Sequence, residues 1–108
     1  MLEAYYRVED QLVNVLDSFE DSHHVEVRVY GYSLPVLKHT PKGVWLETPS
    51  GSWRFVLNGA HKRFACPTWE AAKESFTARK NKQIKIYQNR VANAKRALAM
   101  LDRLEQPE

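Results

Sequence analysis

The sequence predicts an α+β fold: a helix, an antiparallel sheet and a second, longer helix, in that order. Three observations predict it. Apolar residues recur every three or four positions near the N-terminus, and after residue 24 they recur at every second position. Between positions 68 and 106 no Gly or Pro interrupts the chain. At 108 residues the chain can bury one modest core and not two, so a single domain over residues 1–108 is expected. A hydrophobic content of 44% with three tryptophans excludes a disordered polymer.

The first helix is expected over residues 2–20. Tyr5, Val8, Leu12, Val15 and Phe19 form one apolar stripe, with Glu3, Glu9, Asp10 and Asp17 between them. Asp21-Ser22-His23-His24 is a polar stop. An antiparallel meander of four to five strands is expected over 25–66. Val25, Val27 and Val29 alternate with Glu26, Arg28 and Tyr30, as in a half-buried strand. The turn signals Pro41-Lys42-Gly43, Pro49-Ser50-Gly51-Ser52 and Asn58-Gly59 then separate short apolar runs, the last being Lys62-Arg63-Phe64-Ala65. Connections this short require antiparallel neighbours. Trp45 and Trp53 sit at alternating strand positions and are expected in the core.

The long helix is expected over 68–105. Thr68 is placed to cap it, with Pro67 before it and Glu70 in the first turn. Trp69, Ala72 and Phe76 form one apolar patch. Ile84, Tyr87, Val91, Ala94, Leu98 and Leu101 form a second at alternating spacings of three and four, and Lys80 interrupts the stripe between them. Two readings follow. The second patch packs on the N-terminal helix, or Ile84, Tyr87, Val91, Leu98 and Leu101 form a helix–helix interface in a homodimer, with Lys80 setting register.

Charge is strongly segregated beneath a formal net charge of +3. Residues 1–30 hold seven acids against two bases, and residues 62–96 hold ten bases against Glu70 and Glu74 alone. On the helix, Lys82, Lys85, Asn89 and Arg96 align opposite the apolar stripe, with Arg79 to one side. These residues, with Lys62 and Arg63 just before the helix, are the candidate binding residues for an acidic protein or for nucleic acid. A solvated helix face usually alternates its signs, and this one has almost no acids.

Catalytic chemistry is not expected. His23 and His24 are adjacent and point apart, no metal-ligand spacing accompanies His39 or His61, and no glycine-rich phosphate loop exists. Cys66 and His61 have no third group to orient them. No enzyme activity, metal or cofactor is therefore expected. With Cys66 as the only cysteine, no intramolecular disulfide forms, which fits the cytoplasm. The acidic N-terminal segment has no leader-like apolar run, and no stretch is long enough to span a membrane.

Three segments, HTPKGVWL at 39–46, RFVLNGAHKRFACPT at 54–68 and EAAKESFTARKNKQI at 70–84, carry a resemblance. Together they resemble small accessory proteins of tailed bacteriophages and prophages, in which a TPKG turn, a KRFA-x-PT joint and an SFxARKxxQI helix start recur. The resemblance covers roughly residues 36–90 and brings no assigned activity with it. It implies expression in the cytoplasm of an infected bacterium. By analogy with small phage accessory proteins as a class, it implies a host protein complex as partner, such as a CRISPR or other antiviral defence system. The competing expectation is an accessory protein that binds nucleic acid through the basic helix face.

Overall fold

The computed structural model describes residues 4–17, 22–60 and 62–107, with the backbone alone at Asp17, Ser22 and His23. It is α+β. Strands β1 (Ala4–Asp17), β2 (Ser22–His39), β3 (Gly43–Glu47) and β4 (Trp53–Leu57) precede one helix, α1 (Trp69–Leu101). The strands form a single meander in the order β1-β2-β3-β4, every neighbouring pair antiparallel. The chain divides into two compact units, Met1–Phe76 and Thr77–Glu108, so α1 gives its first turns to one and the remainder to the other.

The helix expected over residues 2–20 is absent, and Ala4–Asp17 is strand β1 instead. Residues 1–3 and 18–21 lie outside the described ones. The segment carries two periodicities at once. Its three-four stripe competes with an alternation that puts Ala4, Tyr6, Val8, Leu12 and Leu16 on one strand face. The strand wins because β2 is 18 residues long and needs a partner along its length. Ala4 to Asp17 supply it in unbroken register from Ala4↔Pro35 to Asp17↔Ser22. The backbone hydrogen bonds this satisfies, and the β-branched and aromatic content of both strands, outweigh a helical stripe with only local support. The sheet thus starts well before residue 25, and its last strand ends at Leu57; Lys62–Ala65 is not a strand. The second apolar patch of α1 consequently has no N-terminal helix to pack on.

The short connections follow their residues. Thr40 accepts a hydrogen bond from Gly43 N through its hydroxyl and donates to Gly43 O, closing the β2–β3 turn. Gly51 and Gly59 take φ of 85° and 71°, the left-handed conformation their turns require. Thr68 caps α1: its Oγ1 accepts from Ala71 N at 3.1 Å.

The sheet has two differently used faces. On one, Tyr5, Leu34, Val44, Leu46, Val56 and Ala65 form the main core, flanked by Tyr32, Val36 and Phe64. The chain after β4 returns to the sheet, and Cys66 pairs with Tyr6 through two reciprocal backbone hydrogen bonds of 2.7 and 2.8 Å. On the other face, the first turns of α1 cover β1 and β2 where Val8, Cys66 and Ala72 are buried, with Tyr6, Ala71 and Phe76 around them. The six-membered ring of Trp69 packs against Gly31, where an added Cβ would come within 2.2 Å of it, and Trp69 meets Tyr6 edge to face.

Candidate functional site

The β1–β2 hairpin runs far beyond this core. Only Val36, Lys38 and His39 of β2 pair with β3, so the rest of β2 has β1 as its sole neighbour. Along this ribbon the side chains fall on two faces in turn. One face carries the pairs Gln11/Arg28, Val13/Glu26 and Val15/His24. His24 and Arg28 both reach the Glu26 carboxylate, at 3.2 and 3.6 Å, so this face is a polar ladder. The opposite face carries Leu12/Val27, Asn14/Val25, Asp10/Val29 and Leu16.

That second face is aliphatic and open. Leu12 is 69% exposed and Val27 64%, with Leu16, Val25 and Val29 all above half. It continues the face on which α1 covers Val8 and Gly31, so burial stops partway along one row of side chains. The half-burial expected for Val25, Val27 and Val29 is therefore not observed, although their shared face is.

Where the ribbon enters the core, a charged cluster holds its polar face. Arg7 pairs with Glu9 and donates to Phe64 O at 2.5 Å. The Phe64 ring lies between two guanidinium groups, Arg54 at 4.0 Å and Arg7 at 4.4 Å from its centroid. Tyr30 donates to Glu9 Oε2 at 3.1 Å and stacks on Tyr32. The Arg7 hydrogen bond lowers the Glu9 pKa from its ordinary value. The hydrogen bond to Glu9 raises the Tyr30 pKa, and burial raises that of Tyr32.

The tryptophans are not in the core. Register places Trp45 opposite Phe55 and Glu47 opposite Trp53, on the face away from Val44, Leu46 and Val56. Trp45 lies 5.1 Å from Phe55 and 6.2 Å from Trp53, ring centroid to centroid, and Trp53 is 60% exposed. Lys38 pairs with Trp45 across the β2–β3 ladder and shares its side of the sheet. The expectation of core tryptophans fails because alternation defines two sets and either can face inward. Val44 and Leu46 took the inside, and Glu47, in the row of Trp45, was the signal for it.

The candidate basic residues are all at the surface. Lys62 is exposed and Arg63 half-buried in the first unit, while Arg79, Lys82, Lys85, Asn89 and Arg96 are exposed in the second. Among the described residues Lys82 and Lys85 make no ion pair, and Arg96 reaches only Asn93 Oδ1, at 3.5 Å. The helix stripe is equally uncovered. Ile84, Tyr87, Val91, Leu98 and Leu101 are each more than half exposed, and Ile84, Tyr87, Gln88 and Val91 line an open apolar hollow.

Cys66 is buried and reduced, and His61 lies outside the described residues, so that pairing has no geometry to describe. Among the described residues, no three His, Cys, Asp or Glu side chains converge as metal ligands. Among the same residues, no helix is long and apolar enough to cross a membrane. No protein family, curated protein or solved structure matches this chain.

Proposed function

We propose that this is a non-enzymatic accessory protein that binds a host protein complex through the open aliphatic face of the β1–β2 hairpin. The sequence resemblance to phage accessory proteins supplies the setting, the cytoplasm of an infected bacterium, and blockade of an antiviral defence complex as its use. One observation carries the binding mode: Leu12, Leu16, Val25, Val27 and Val29 share one exposed face of a ribbon whose other face mixes Gln11, Arg28, Glu26 and His24 with Val13 and Val15. Antiparallel sheets with one polar and one apolar face normally bury the apolar one. Contiguous apolar patches of this kind mark interaction sites. The partner's chemistry follows from the patch. Aliphatic side chains flanked by Asp10 and Asn14 offer nothing to phosphate, and they fit an apolar stripe on another protein.

The test is affinity capture from bacterial lysate, identification of a stoichiometric host protein, and calorimetry with that protein purified. The Leu12→Gln/Val27→Thr double variant loses binding while its thermal transition stays in place. Binding that survives the double variant, or the lack of any stoichiometric partner, overturns the reading.

A second reading, nucleic-acid binding, draws on the outward Trp45-Trp53-Phe55 cluster beside Lys38, and separately on Lys82, Lys85 and Arg96. Exposed aromatics stack on bases, each contributing about 1–3 kcal/mol. A low-salt mobility-shift assay with single-stranded and duplex oligonucleotides tests it. No shift at micromolar protein ends this reading, and a shift lost in Trp53→Ala or in Lys82→Glu/Lys85→Glu says which surface is used.

A further inference from the structure

The outer edge of β1 is used near one end and open further along. Tyr6 exchanges both of its backbone hydrogen bonds with Cys66, on the side away from β2. Backbone direction alternates along a strand, and β1 keeps unbroken register with β2. The N–H and C=O groups of Leu12, Asn14 and Leu16 therefore point away from β2 as those of Tyr6 do. Among the described residues, no hydrogen bond reaches that edge at Leu12, Asn14 or Leu16. The sequence on this open stretch is a palindrome: Leu12-Val13-Asn14-Val15-Leu16 reads the same in both directions. It carries no charge, no Gly and no Pro, the devices that usually keep an edge strand from pairing.

We propose that β1 pairs antiparallel along this edge with β1 of a second copy of this chain, about a two-fold axis at Asn14. A two-fold axis sets a patch against itself, and a palindrome is the strand sequence that satisfies it residue by residue. Leu12 of one copy faces Leu16 of the other on one side of the sheet, and Val13 faces Val15 on the other side. Asn14 faces its own counterpart, each side-chain amide offering both a donor and an acceptor. The outward backbone groups of Leu12, Asn14 and Leu16 are the ones that this register joins.

Other registers fit less well. A slide of one residue sets outward backbone groups against inward ones. A slide of two sets Leu12 or Leu16 against Asn14 and breaks the matched pairs. Parallel pairing in register places Glu9 beside Glu9 and Asp10 beside Asp10, where like charges repel. The antiparallel pair joins two marginal ribbons into a four-stranded sheet in the order β2-β1-β1-β2, which is stable where a lone hairpin is not. It lies in the plane of the ribbon, so it widens the aliphatic face without covering it, and it stands whether or not a host protein docks there.

Sedimentation equilibrium on the full chain, from low- to high-micromolar concentration, tests the proposal. The expected result is a monomer–dimer equilibrium that Asn14→Pro abolishes. Proline there removes an outward N–H and no bond to β2, which edge strands tolerate, so circular dichroism is unchanged. Mild oxidation of an Asn14→Cys variant reads the register, the native Cys66 being buried. Opposed residues of a hydrogen-bonded pair lie about 5.5 Å apart at Cα, within a disulfide's span, so a covalent dimer forms. Leu12→Cys gives none, because its counterpart lies about 13 Å away along the strand. Val27→Thr, which is off the edge, leaves the dimer intact. A chain that stays monomeric throughout overturns the proposal. So does a dimer that survives Asn14→Pro, or cross-linking at Leu12→Cys equal to that at Asn14→Cys.

Discussion

The two halves of the β1–β2 hairpin obey the same alternation and end in opposite environments. At the core end, Val8 and Gly31 form a cross-strand pair, with Val8 buried at 5% exposure against the first turns of α1. At the distal end, Leu12 and Val27 form a pair of the same kind and stand in solvent. Patterning decides which residues share a face. A third layer decides whether that face is inside, and here the layer runs out: α1 covers the ribbon at Val8 and Gly31 and leaves the apolar row beyond them open. A two-stranded ribbon is marginal in water by itself, so the distal half holds its form through register with the proximal half.

The comparison breaks most forcefully at the core end. Leu46→Ala, at a side chain with no exposed surface, costs about 2–5 kcal/mol in urea unfolding, through lost burial and the cavity left behind. At the boundary, Gly31→Ala forces the Trp69 ring away. It costs about 1–3 kcal/mol, with a shift in tryptophan fluorescence that places the change under α1.

Acid acts on the Arg7–Glu9–Tyr30 cluster. Because the folded-state pKa of Glu9 lies below its unfolded value, its contribution is present above the ordinary carboxylate range and lost as pH falls through the folded value. Thermal melts between neutral pH and about pH 3 show a loss of stability on acidification that is smaller in Glu9→Gln. At the distal end, Leu12→Gln/Val27→Thr changes stability by no more than about 0.5 kcal/mol, against the large loss at Leu46. A large loss there would mean that the distal face is buried within the free chain.

What was legible in the sequence was local. Thr68, Asn58-Gly59 and the Thr40–Gly43 turn act through neighbours a few residues away, and the meander and long helix follow from them. The N-terminal segment departs from its local pattern because its conformation is set by pairing with residues 22–35. A window of neighbours shows only the stripe Tyr5, Val8, Leu12, Val15, and not the strand that claims it. The alternation Tyr6, Val8, Leu12, Leu16 is interrupted by Asp10 and Asn14, so by itself it does not outweigh the helical stripe. The candidate basic residues were legible as surface groups because ten bases against two acids over residues 62–96 have few places to be buried.

The reciprocal Tyr6–Cys66 pair has a consequence for the order of folding. It joins residues near opposite ends of the first unit, so it closes one of the longest loops in that unit. Loop closure on this scale is entropically slow, whereas β3–β4 and α1 need only local contacts. During synthesis β1 emerges first and is completed last, after the chain has delivered Cys66 back to it. Until then Tyr6 and Val8 lack the cover of α1, and the interval before that closure is when the chain is most exposed to wrong pairing along the free edge of β1.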